Sequence, residues 1–436
     1  MSHPIFQLLD NLNNFLWCNV AFAFIAILGS YFCIRSRFFQ IRMFFQICKS
    51  FASFFKEKTK GAGIHPLKAF FAAIGGCIGI GNVVGICTAV QLGGPGALLW
   101  TWIGGLLGML IQYAEIYLGM KYRIPNNKGS YDGGPMYFLP VAYKGKWIAI
   151  VVSLLLCIYG VEVFMFNVVA DSISTNWNLP EGLVVAVLLI ATFIVTLGGI
   201  NRVGEVCSAI IPLFILLYLG MGLWILIRDF SELPAVFKAV SSCAFTPQAA
   251  IGGFAGSTVA TTLSMGLSRG AYSGDIGVGY NAIIHAESST TKFGRQASLA
   301  IVAIFLDTFV ICTMSILLIL LTGHWKEPID PTLMVQQSLG LTFPYMHFFM
   351  PFFLFLLGFT TVVAYLSVGI KCAKFLAPKW GPKLYYCYAA IALPLFAFLD
   401  PTEAFIVMSL SGACLLLFNV FGIFLLRKEV VFKLEQ

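Results

Sequence analysis

Residues 75–100 read GGCIGIGNVVGICTAVQLGGPGALLW. The run is apolar enough for a bilayer, yet its first eleven positions hold Gly75, Gly76, Gly79, Gly81, Asn82 and Gly85. A second run, residues 248–280, behaves alike. It holds Gly252, Gly253, Gly256, Gly266, Gly270, Gly274, Gly277 and Gly279. Among them stand Thr258, Thr261, Thr262, Ser264, Ser268, Arg269, Ser273 and Asp275. Polar density of this kind is costly inside lipid and is tolerated where backbone lines a protein cavity. Close packing through small residues would account for the glycines but not for the hydroxyls. Both runs are therefore read as membrane helices broken midway.

The rest of the chain supplies the membrane. Of 436 residues, 59% are hydrophobic and 11% charged, against about 25% charged in soluble domains, and mean hydropathy is +0.89. Eleven runs approach the roughly 20 apolar residues that a spanning helix needs. Segment A is 15–34; B to F are 66–92, 96–120, 147–170, 180–199 and 205–228. Segments G to K are 248–280, 297–322, 344–377, 383–399 and 402–426. With A set aside, the broken segments B and G open two sets of five, 66–228 and 248–426. Equivalent breaks in two halves mark an inverted-repeat transporter, and an odd number of helices per half makes the halves antiparallel. The whole chain, 1–436, reads as one transmembrane transporter domain.

The charge of +8 resides in loops. With the N-terminus outside, the inner loops and C-terminal tail carry 23 of the 27 Lys and Arg residues. The outer side carries Arg228, Lys238 and Lys326, and Arg269 falls within segment G. This asymmetry satisfies the positive-inside rule and predicts a cytoplasmic C-terminus in a multi-pass inner membrane protein. Segment A has its basic flank after it (Arg35, Arg37, Arg42), opposite to a cleaved secretory signal, and is read as a retained helix. No separate soluble domain is expected.

Other chemistries find little support. The twelve cysteines include no CxxC pair, and the five histidines lack metal-ligand spacing. The motifs GxxxxGK[ST] and HExxH, which a primary pump or an intramembrane metalloprotease would carry, are absent from the sequence. No catalytic residue, cofactor or bound metal beyond a coupling sodium ion is expected, nor a nucleic-acid partner. A channel would not need paired broken helices.

The ordered motifs resemble those of the alanine or glycine:cation symporter family, also called sodium:alanine symporters. Residues 75–100 are similar to that family's GxGNxxGVxTAxxxGGPGAxFW stretch. AEIYLGMKYR at 114–123, GGPMYFL at 133–139 and SRGAYSGDIGVG at 268–279 resemble AExxLAxKYR, GGPMYY and ARGLFSNEAGLG. LGGINRVGEV (197–206) and FLDTFVICTMSILLILLTG (305–323) follow the same order. The resemblance spans nearly the whole chain. It implies an all-α leucine-transporter-type fold, five plus five helices with one added at the N-terminus. It also implies sodium-driven uptake of small neutral amino acids such as alanine or glycine. A proton-coupled symporter, or one for another small solute, is the alternative.

By the same resemblance, sodium would sit between the carbonyls of Gly75 and Ile78 and the hydroxyls of Thr360 and Thr361. The substrate carboxylate would meet backbone N–H groups at Gly79, Ile80 and Gly81, with Asn82 contacting substrate or a second cation. Thr262, Ser264 and Gly266 would face the same site, with Tyr365 in its wall. Back-bonding of Thr360 and Thr361 to their own helix is the structural alternative. The sequence departs from the family near this pocket. SGDIG replaces SNEAG, AYLSVGIK (364–371) replaces GWSYYGER, and MFNVVADS (165–172) replaces GNMVQANS. These differences bear on which amino acid is carried, not on the fold. Glu115, Glu162 and Asp307 fall within predicted spans, where an acid is a functional candidate by default. Arg269 is expected to pair with an acid such as Asp275.

Overall fold

The computed structural model describes residues 4–58, 61–127, 129–249, 254–398 and 401–435. Gly252 and Gly253 lie outside them. Among the described residues the secondary structure is helical apart from a hairpin of two-residue strands, Ile124–Pro125 and Tyr131–Asp132, and isolated bridges. Helices are what apolar runs must form in lipid, since only they satisfy every backbone group within the segment.

Seven helices among the described residues are long and apolar enough to cross a membrane. They are Ile5–Arg35, Ala97–Lys121, Trp147–Trp177, Gly199–Arg228, Phe293–Thr322, Met346–Leu376 and Phe405–Leu425. Pro66–Cys77 and Ile80–Gly93 together make a further span, bent by 58°. The shorter Glu181–Thr196 and Gly381–Phe398 match segments E and J. The molecule is a polytopic membrane protein.

Segment G differs most from its expected bounds. Its first helix begins at Val259, eleven residues late, because Thr258 caps it by accepting the Thr261 N–H at 3.1 Å. Before it, Gln248 and Ser257 form an antiparallel bridge. The helix ends at Ser273, and Tyr280–Ala286 follows after a six-residue bend. Segment D is also broken, between Tyr159 and Val163. Segments A and H each contain a wide π-helical turn, Leu16–Ala21 and Phe305–Cys312.

Met346–Leu376 is the most enclosed long helix, packed by the two pieces of segment D and by Pro66–Cys77. Val259–Ser273 lies along Ala97–Lys121, close enough that a Cβ at Gly266 would meet Trp100 and the Thr101 backbone. Gly199–Arg228 sits at the periphery and presents Leu216, Trp224 and Ile227 outward, as a lipid-facing helix does.

Candidate functional site

The first break starts where Pro66–Cys77 runs out. Ile78 leaves the helical region (φ −79°, ψ 89°) and Gly79 is extended (φ −123°, ψ −167°). The chain then turns through Ile80–Asn82 and resumes as Gly85–Gly93. Asn82, fully buried, fixes this shape: its Oδ1 accepts the Gly79 N–H at 2.9 Å. Its carbonyl accepts the Ser315 hydroxyl at 2.8 Å. The N–H groups of Ile80 and Gly81 have no acceptor among the described residues. A backbone with free donors beside a cavity can hold an anion.

The second break faces the first. Asp275, Gly277 and Gly279 take positive φ (49°, 78° and 96°), which turns the chain between the two helical pieces. Glycine adopts such angles without steric cost; Asp275 does so less readily. Glu115 anchors the far side. Its carboxylate accepts the N–H groups of Gly279 and Ala282, both at 3.2 Å, and the Asn419 amide at 3.0 Å.

Between the breaks lies a cavity of about 20 Å³, enclosed by four elements. One wall is Gly76, Cys77, Gly79, Gly81 and Asn82; the opposite wall is Tyr272, Ser273 and Asp275. Thr361 and Tyr365 close one side, and Tyr159, Glu162 and Met165 the other. A space of this size holds about one water, so the site is tightly closed. Tyr365 stacks on Tyr280 (ring centroids 4.1 Å apart) and meets Tyr159 edge-on at 5.3 Å. The Tyr159 hydroxyl donates to Asp275 Oδ1 at 3.2 Å. No lysine or arginine lines the cavity.

Of the residues expected from sequence, Gly79, Gly81, Asn82, Thr361 and Tyr365 line this cavity. Gly75, Ile78 and Ile80 lie in the adjoining backbone. The Thr361 hydroxyl reaches the Gly75 and Gly76 carbonyls at 3.3 and 3.4 Å while also bonding its own helix at Leu357. The Thr360 hydroxyl instead donates only to Leu356 and Leu357, both at 2.9 Å. Its hydroxyl is thus absorbed by helix back-bonding. The Gly79 N–H is likewise taken by Asn82.

Three expected residues lie elsewhere. Ser264 donates to the Cys18 carbonyl at 2.6 Å, toward the N-terminal helix. Thr262 donates to the Gly93 carbonyl at 2.7 Å, and Gly266 permits contact with Ala97–Lys121. The helix starts late, at Val259, and the residues that face the cavity are at its end, Tyr272 and Ser273, about two to three turns beyond Ser264 and Thr262. Arg269, half-buried, makes no ion pair among the described residues, and Asp275 is held by Tyr159 instead. Cys77, Tyr159, Met165, Tyr272 and Ser273 were not foreseen. The Gly160–Glu162 interruption of segment D was the available signal for Tyr159.

A larger vestibule of about 630 Å³ opens at one end of the molecule. Met346–Leu376 connects the two spaces, since Lys371 follows Tyr365 by about 9 Å along the helix. At its mouth Lys371 bridges Asp132 (3.1 Å) and Glu287, and Lys374 holds the other Asp132 oxygen at 2.9 Å. Burial works to raise the Asp132 carboxyl, but Lys371, Lys374 and Asn126 outweigh it and hold it below its ordinary value.

A model of the family described as "Sodium:alanine symporter family" matches residues 3–436. An uncharacterized transporter, YflA, of Bacillus subtilis is 31% identical over 97% of this chain and 91% of its own length. The sodium/alanine symporter AgcS of Methanococcus maripaludis is 29% identical over 98% and 95%. Among solved structures, a manganese transporter of Eremococcus coleocola superposes with a TM-score of 0.53 at 15% identity. The match covers 81% of this chain and 75% of that one, a likeness of fold.

Proposed function

Since the chain belongs to the sodium:alanine symporter family and is a cation-coupled amino-acid transporter rather than an enzyme, we propose that it imports small neutral amino acids, alanine or glycine among them, with sodium. The observation that carries this reading is the cavity between two facing helix breaks, with Gly81, whose N–H is unbonded, in one wall and the unbonded Ile80 N–H in the backbone adjoining it. Once the breaks part to widen this closed site, a substrate carboxylate would meet those donors, at the positive end of the Gly85–Gly93 half-helix. Its ammonium group points toward Asp275 or Asp307. Sodium fits between the carbonyls of Gly75 and Ile78 and the Thr361 hydroxyl, a hard oxygen set. Thr360 joins this set only by giving up its bonds to Leu356 and Leu357.

The architecture supports a leucine-transporter-type arrangement of two five-helix repeats, 66–228 and 248–426, behind one N-terminal helix. The loop charges support an outside N-terminus and a cytoplasmic C-terminus in the inner membrane. In that orientation the vestibule opens inward. Alternating access is then a rocking of segments B and G against Met346–Leu376, with the Lys371 cluster closing the inner mouth.

Uptake of radiolabelled neutral amino acids into proteoliposomes, with sodium and proton gradients varied separately, tests this. Saturable uptake driven by a sodium gradient is expected. Gradient-independent, non-saturating flux would point to a channel and overturn the reading.

A further inference from the structure

Glu162 stands apart from the other acids of the membrane core. Glu115 accepts three donors at the segment G break. Asp307 is met by Asn82, by Thr308 at 2.8 Å and by Ser273 at 3.5 Å. Asp275 has the Tyr159 hydroxyl. Glu162 is 3% exposed, and its Oε2 has no hydrogen-bond partner among the described residues. It sits at the break of segment D with φ 51° and ψ 45°, the left-handed region that non-glycine residues seldom enter. Such strain tends to collect at functional sites. The break places Glu162 in the wall of the central cavity, which it shares with Asp275.

The charges do not balance as the site stands. A zwitterion brings no net charge and one sodium ion brings +1, while the cavity and its rim hold Glu162, Asp275 and Asp307 with no basic side chain. A carboxylate with neither donors nor a countercharge is not sustained in a dry membrane interior. We propose that Glu162, beside Asp275, forms a second cation subsite, distinct from the one at Thr361, that takes up a single positive charge when the transporter loads. The charge is a proton on the carboxyl or the basic group of a diamino acid. In the first case a hydronium ion on the outer side gives up one O–H bond as the Glu162 carboxyl O–H forms, leaving water, and on the inner side the carboxyl O–H breaks as an O–H bond forms on water, regenerating hydronium and the carboxylate. The titratable groups that line the cavity with it are Tyr159 of its own segment, Cys77 of segment B, Tyr272 and Asp275 of segment G, and Tyr365 of Met346–Leu376; Tyr280 of segment G and Tyr385 of Gly381–Phe398 lie behind them. This inference rests on the transport reading above and deepens it.

The test uses the full chain in proteoliposomes, as wild type, Glu162→Gln and Glu162→Asp. Counterflow exchange of labelled alanine or glycine, which needs no driving ion gradient, reports folding and transport. Two further readouts are alkalinisation of the outer medium during alanine uptake, and sodium-driven uptake of labelled lysine or 2,3-diaminopropionate. A proton on Glu162 predicts substrate-linked alkalinisation in wild type and, in Glu162→Gln, a loss of alkalinisation per alanine exchanged, whatever counterflow rate the variant keeps. A basic substrate predicts diamino acid uptake in wild type and its loss in Glu162→Gln, with Glu162→Asp partly restoring it. Wild type that shows counterflow but neither readout overturns the proposal without help from any variant. Either readout persisting unchanged in Glu162→Gln also overturns it. Wild type without counterflow of any amino acid overturns the transport reading itself.

Discussion

The Asn82 side-chain amide donates to the Asp307 carboxylate, joining the first broken helix to the π-helical turn of segment H. The same asparagine accepts the Gly79 N–H, so one buried side chain both shapes the break and ties it to a neighbouring helix. Asn82 is therefore a structural member of the site whatever else it contacts.

Replacing Asn82 by Ala leaves the Gly79 N–H and one Asp307 oxygen short of a partner. A buried group left unpaired costs about 1–3 kcal/mol. Substrate affinity should fall by roughly tenfold or more, since 1.4 kcal/mol is about a factor of ten. Equilibrium binding of labelled substrate to purified protein measures it. An unchanged affinity would mean the break keeps its shape without Asn82.

The two threonines of Met346–Leu376 should separate. Thr361→Val removes a hydroxyl that reaches the Gly75 and Gly76 carbonyls, whereas Thr360→Val removes one bonded only within its helix. The sodium concentration for half-maximal uptake should rise about fivefold or more in Thr361→Val, for the loss of about 1 kcal/mol. It should move much less in Thr360→Val. Equal shifts would restore Thr360 to the cation set.

Glu115 should govern stability more than transport specificity. Glu115→Gln keeps the shape but replaces an acceptor of three N–H groups with an amide that cannot accept them all. A loss of about 1–3 kcal/mol is expected, read as a lower melting temperature in detergent. The substrate ranking among neutral amino acids should stay the same.

The vestibule cluster gives a pH dependence. Asp132 is held below its ordinary value of 3.8 by Lys371 and Lys374, so its folded form releases protons more readily than the unfolded chain does. Its contribution to stability is then full above the unfolded value and disappears as pH falls through the lower folded one. Wild type should melt higher than Asp132→Asn at pH 7, with the gap closing toward pH 3. A gap that does not narrow at all as pH falls below 3.8 would assign the effect to packing rather than charge.

Much of the fold was legible in the sequence because lipid imposes a simple rule. Apolar length gave the long spans, and glycine with hydroxyls gave both breaks. Helix phase was not legible. Thr258 caps segment G later than apolarity alone suggests, and Tyr272 and Ser273 at the helix end face the cavity in place of Thr262, Ser264 and Gly266. The third break was missed for a related reason. A single Gly160 in an apolar run resembles a packing glycine, and the left-handed turn at Glu162 comes from tertiary contacts that spacing does not encode.

The central claim is that facing helix breaks hold an amino acid and an alkali ion in one site. Reciprocal linkage tests it directly, because two ligands that share a site with favourable coupling must raise each other's affinity by the same factor. The measurement is equilibrium binding of labelled alanine or glycine to purified protein across a sodium series, with the sodium response measured across a substrate series. The account predicts that substrate Kd falls as sodium rises, and that sodium affinity rises by an equal factor when substrate saturates. Substrate binding that ignores sodium, in a protein that still binds both, would contradict it.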